Sequence, residues 1–145
     1  MKNQKEERNY TTEITMRASA VDVFSALSEK INLWWGETDT PVSKVGDVFT
    51  IVFGEACWTF KIMTYTPHSK LTWVCIGGVP DFNAEWIGNQ LHWSIEEQGD
   101  TTKVRFLQIG LTPNMNCYDV CASTWDKFIM ISLKSFVETG KAESF

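Results

Sequence analysis

Asn116-Cys-Tyr-Asp-Val-Cys-Ala-Ser-Thr-Trp-Asp-Lys-Phe-Ile-Met-Ile-Ser-Leu-Lys-Ser-Phe-Val-Glu-Thr-Gly140 is the stretch on which the fold turns. At about 100° per residue, Tyr118, Cys121, Ala122, Trp125, Phe128, Ile129, Leu133 and Phe136 fall within one stripe roughly 140° wide, so the segment reads as a helix that buries one side. Asn116, with Asp119 three residues on, supplies N-terminal capping chemistry, and Gly140 followed by Lys141 closes the far end. Roughly 23 residues, or ~34 Å, are thereby predicted to be helical. Such a stripe needs an apolar sheet face to cover it.

The preceding residues supply that sheet. Residues 10–17 alternate, with Tyr10, Thr12, Ile14 and Met16 on one side and charged or hydroxylic residues on the other. Ser19, with Asp22 three residues later, opens a short helix carrying Val23, Phe24 and Leu27. Ser28 then caps a second short helical turn through Ile31, Leu33 and Trp34 that stops at Gly36. Residues 37–46 hold Pro41 and no periodicity, and read as a loop. Strands follow at about 47–53, 57–66, 70–76, 87–97 and 102–111, separated by turn chemistry at 54–56, 66–69 and 98–100 that suits antiparallel hairpins. Residues 77–86 are a longer loop. Phe49, Ile51, Phe53, Trp58, Phe60, Ile62, Leu71, Trp73, Cys75, Leu91, Trp93, Ile95, Val104, Phe106 and Gln108 share the inward phase, while His92, Glu96, Lys103 and Arg105 share the wet one. The prediction is an α+β chain: a curved antiparallel six-stranded sheet wrapped around a long C-terminal helix, with two short helices after the first strand.

Composition sets the bounds. The chain has 145 residues, 43% hydrophobic and 21% charged, with 13 basic against 18 acidic side chains and a formal charge of -5. One domain over residues 10–145, preceded by a flexible segment at 1–9, is the natural reading. Its apolar runs are too short to span a membrane, and its first nine residues are too polar for a signal peptide. The acidic balance, with no basic cluster, argues against nucleic acid as a partner. A cytoplasmic location follows, in which Cys57, Cys75, Cys117 and Cys121 stay reduced. Cys117 and Cys121 share a helix face at i, i+4, but neither histidine lies nearby, so both cysteines read as core and no metal is expected.

Several segments carry a family resemblance. Residues 14–27 (Ile-Thr-Met-Arg-Ala-Ser-Ala-Val-Asp-Val-Phe-Ser-Ala-Leu), Trp34-Trp35, Val45-Gly46, Trp93-Ser-Ile95, residues 102–106 (Thr-Lys-Val-Arg-Phe), Gly110-Leu111 and the string from Trp125 to Gly140 resemble the activator of heat-shock-protein-90 ATPase homologue-like family. That family is part of the START-related (SRPBCC) superfamily, and the resemblance spans roughly residues 10–140. It implies the helix-grip fold and a cavity between helix and sheet that in relatives holds apolar or amphipathic small molecules. The sequence departs from many relatives at Gln108, where they carry a histidine near the end of the last strand.

If a cavity is present, Trp35 and the 77–86 loop are expected at its mouth. Trp73, Trp93, Phe106, Trp125 and Ile129 would form its apolar wall, and Gln108 with Ser132 would supply the polar contacts. Both polar residues occupy inward positions where an unpaired group costs about 1 to 3 kcal/mol. Ser132 alternatively bonds back to the Phe128 carbonyl. No catalytic residue is singled out, because the inward phase offers neither histidine nor carboxylate for acid–base work. Binding of an apolar small molecule without a cofactor is therefore the leading reading, with a cyclase-like or hydrolase-like enzyme and a chaperone-associated interaction module as alternatives. Val120, Met130, Ile131 and Val137 lie off the stripe and suggest a monomer or at most a weak homodimer.

Overall fold

The computed structural model describes residues 8–39 and 41–144. The flexible segment expected at 1–9 falls, for residues 1–7, outside the described residues; the Asn9 side chain accepts the Gly110 N–H at 2.9 Å.

Seven antiparallel strands form one curled sheet in the order β1-β7-β6-β5-β4-β3-β2. They are β1 Tyr10–Met16, β2 Glu37–Thr38, β3 Val48–Phe53, β4 Ala56–Thr66, β5 Lys70–Val79, β6 Gln90–Gln98 and β7 Thr101–Ile109. The seventh strand corrects the expected six. It is β2, a two-residue edge inside the segment read as a loop, paired as Glu37 with Val52 and Thr38 with Ile51. Two residues show no alternation, so periodicity had nothing to detect.

A second correction concerns β5, which runs on through Gly77 and Gly78 rather than stopping near 76. A one-turn helix follows, α2 Asp81–Ala84. A Cβ on Gly78 would lie 2.5 Å from the Asn83 carbonyl oxygen, so the glycine lets that turn settle directly on the strand. A glycine of the segment read as a loop thus serves close approach within the strand.

Ser19 caps α1 (Ala20–Ser28) as its sequence implies, its hydroxyl accepting the Asp22 N–H at 3.1 Å. The second short helix is only a single 3-10 turn, Ile31–Leu33.

The C-terminal helical segment is continuous but not uniform: α3 Tyr118–Lys127, a π-helical stretch Phe128–Leu133, then α4 Lys134–Thr139. Asn116 does not cap it. Cys117 occupies the capping position without a side-chain bond, and the Asn116 amide donates instead to Glu85 at 2.8 Å. Gly140 ends the helix in the left-handed conformation, φ 85°. Trp125, Ile129, Ser132 and Leu133 are buried, packed with Phe49, Phe60, Ile62, Trp73, Leu91, Trp93 and Phe106 of the sheet in one core. Tyr10 ties β1 to the helix by donating its hydroxyl to Asp126. Among the described residues, no helix is long and apolar enough to cross a membrane.

Candidate functional site

A cavity of about 170 Å³ opens between the helix and the β3–β4 side of the sheet. Four indoles wall it. Trp35 arrives from the 3-10 turn, Trp58 from β4, Trp86 from the residues after α2, and Trp125 from α3. Trp58 and Trp86 stack with centroids 4.4 Å apart, Trp86 and Trp125 at 5.9 Å, Trp35 and Trp125 at 5.0 Å, and Trp35 and Trp58 at 6.4 Å. Phe53 and Phe128 add two more rings, and Ala56, Val120, Asn83, Thr124 and Cys121 complete the lining. These polar groups are uncharged, and the Asn83 amide is partly committed, donating to the Cys57 carbonyl at 3.2 Å.

Of the residues anticipated for a site, Trp35 and Trp125 border this cavity, and the 77–86 segment contributes Asn83 and Trp86. Trp73, Trp93, Phe106 and Ile129 lie deeper, fully enclosed in the core. Gln108 is also fully buried, and its amide is used at both ends: the oxygen accepts the Trp125 indole N–H at 2.8 Å, and the nitrogen donates to Asn89 Oδ1 at 2.9 Å. It therefore sets the orientation of the Trp125 ring from behind. Ser132 donates to the Trp34 carbonyl at 2.5 Å rather than back to Phe128, pinning the helix to the Trp34-Trp35 segment.

Phe53, Trp58, Thr124, Phe128 and Cys121 were not anticipated as site residues, and Trp86 only as part of the 77–86 segment. For Trp58 and Phe53 the inward phase was the available signal. For Trp86 the signal was the loop as a whole; its individual place depends on how α2 folds over Gly78.

The histidine nearest the core, His92, lies away from the cavity. It is bonded to Thr72 Oγ1 at 3.2 Å and Gln90 Oε1 at 3.0 Å, and partial burial, with help from Lys70, holds its imidazole below the usual value. Burial pushes the Cys75 thiol up to about 11 while it donates to the Gly77 carbonyl, which makes it inert.

Cys117 and Cys121 are different. The Cys117 thiol donates to the Met115 sulfur at 3.4 Å and is held below its ordinary value, foremost by Cys121 one helical turn on, whose own thiol is raised.

No family model and no curated protein matches the sequence. Solved structures do match the fold. The Aha1 dimer from Colwellia psychrerythraea superposes with a TM-score of 0.80 at 24% identity, covering 93% of this chain and 99% of that one. DynU16, from the dynemicin biosynthetic locus, gives 0.72 at 17% identity over 94% of this chain, which spans only 49% of DynU16. CalU16 from Micromonospora echinospora gives 0.65 at 17% identity, over 92% of this chain and 75% of that one. A curled antiparallel sheet closed over a C-terminal helix, matched at this level along nearly the whole chain, is an Aha1-like helix-grip fold.

Proposed function

We propose that the protein binds a small, uncharged, flat apolar molecule in the cavity between Trp35, Trp58, Trp86 and Trp125. The observation that carries this reading is the wall of indole rings, four aromatic faces set around a space that no described side chain fills. Aromatic rings gain most from offset or edge contacts with other rings at about 4.5 to 7 Å, the spacing that these indoles already keep among themselves. Size narrows the ligand further. About 170 Å³ is close to the ~150 Å³ that takes up one benzene ring and well below the ~300 Å³ at which drug-sized pockets begin. One or two fused rings fit; a sterol does not fit this cavity as it stands.

The lining supports binding over turnover. Among the described residues it holds no imidazole and no carboxylate to move a proton.

The experiment is quenching of tryptophan fluorescence by naphthalene and 2-naphthol, with decane and cholesterol as the aliphatic and oversized probes. The bicyclic probes should bind with Kd on the order of 10 to 100 µM, as ligands of about ten heavy atoms do in apolar pockets. Thr124→Phe, which places a ring in the cavity from the exposed helix side, should abolish that binding while leaving the thermal midpoint unchanged or higher. Absence of any bicyclic binding to the wild type, or equal binding by Thr124→Phe, refutes the proposal.

A further inference from the structure

At one wall of the cavity lies a cluster that ring binding does not use. The Cys117 Sγ is 3.4 Å from the Met115 Sδ, and Cys121 follows one helical turn on, its backbone N–H donating to the Cys117 carbonyl at 2.7 Å. Residues at i and i+4 present Cβ atoms about 5 to 6 Å apart on one helix face, so both sulfurs can reach a single ion at metal–sulfur distances of about 2.3 Å. Three sulfurs thus converge: a thioether and two thiols. Cys121 lines the cavity and provides access, whereas Cys117 lies fully buried behind it.

The surroundings favour a cation. Glu85 acts on both thiols through its charge; its Oε2 accepts from Asn116 at 2.8 Å, and its Oε1 is buried with no donor among the described residues. Cys117 is the capping residue at the N-terminus of α3, where the helix dipole stabilises a thiolate. The Trp86 indole lines the same cavity as Cys121.

We propose that Met115, Cys117 and Cys121 form a binding site for a soft monovalent metal ion, Cu(I) or its surrogate Ag(I). Thiolate and thioether sulfur select such ions over harder ones. Zinc is disfavoured because a structural zinc site takes four ligands, and no group of three or more His, Cys, Asp or Glu side chains able to hold a metal occurs among the described residues. Binding releases the two thiol protons to solvent and forms two metal–thiolate bonds with no change of oxidation state. The Met115 thioether completes the coordination, and the complex carries one negative charge. The sequence reading set Cys117 and Cys121 aside for want of a nearby histidine; the third donor is a methionine two residues before the pair.

The test is anaerobic competition for Cu(I) against a chromogenic chelator such as bicinchoninate, using the full chain. Wild type should withdraw one equivalent. Cys57→Ser/Cys75→Ser should do the same, Cys117→Ser/Cys121→Ser should withdraw none, and Met115→Leu should lose about tenfold in affinity. A measurement that needs no variant runs alongside. One equivalent of Cu(I) should slow alkylation of Cys121 at least tenfold and leave the similarly half-buried Cys57 unchanged. Failure of wild type to compete, competition by Cys117→Ser/Cys121→Ser equal to wild type, or equal protection of Cys57 overturns the site. Because Thr124→Phe blocks the ring cavity without removing a sulfur, the two proposals fail separately.

Discussion

Gln108 shows how a residue can be placed correctly by its phase and still be given the wrong partners. Its inward position on β7 makes it a buried amide that must be satisfied, and satisfied it is, by Trp125 on one side and Asn89 on the other. That arrangement reverses the expected effect of Gln108→Leu. An amide facing a cavity would be relieved by leucine, but here leucine strands the Trp125 indole N–H and the Asn89 amide oxygen. The expected loss is about 1 to 3 kcal/mol for each stranded group, read as a lower urea midpoint at unchanged slope. A variant as stable as wild type would show that these bonds contribute nothing net. Ser132 follows the same logic. Depth was legible from the stripe, but its acceptor, the Trp34 carbonyl, is 98 residues away in sequence and no local pattern points to it.

At the scale of elements, the C-terminal helix is held to the sheet edge as well as to the core. Tyr10 of β1 is buried and donates to Asp126 of α3, and burial together with that carboxylate raises the phenol well above its ordinary value of 10.0. The sign follows from linkage. Below pH 10 the phenol is protonated in folded and unfolded chains alike, so its contribution is intact. Above pH 10 the unfolded chain ionises while the folded one resists, and stability falls as pH rises. Wild type should therefore lose stability between about pH 10 and 11.5 more steeply than Tyr10→Phe, measured by urea melts across that range. Parallel pH profiles for the two proteins would remove Tyr10 from the account. The π-helical stretch Phe128–Leu133 belongs to this scale too: such stretches often mark functional sites, and this one starts at Phe128, a lining residue of the cavity. The apolar stripe identified the helix and its buried face, yet a wheel drawn at constant angle does not register a local change of pitch.

For the molecule as a whole, the question is what covers its outer surface. Of the four off-stripe apolar residues on the C-terminal helix, Val137 packs against the core and Ile131 is half-buried, leaving Val120 and Met130 exposed. Two side chains are few beside the ~800 Å² per partner of a standard interface. Sedimentation velocity at micromolar concentration should accordingly show a predominant monomer, and Met130→Lys should leave the profile unchanged. A tight dimer would contradict this, and its persistence in Met130→Lys would locate the contact away from the helix.

The amino-acid sequence alone determined the order of the long elements, the antiparallel hairpins, the inward face of each long strand and the buried stripe of the last helix. Each of these follows from a local period or a local turn, 2.0 residues for strands and 3.6 for helices. Tertiary structure alone decided the rest. Whether an inward aromatic side chain meets a neighbour or borders a void depends on how far apart two elements sit, and periodicity carries no distance. Thus Trp73 and Trp93 are core while Trp58, of the same inward phase, lines a cavity. Trp86 reaches that cavity because Gly78 lets α2 lie against β5, and the sulfurs of Met115, Cys117 and Cys121 gather because the chain bends into α3 there. Contacts made by close approach are set by the packed whole, since each requires two segments to be in place before either side chain has a partner.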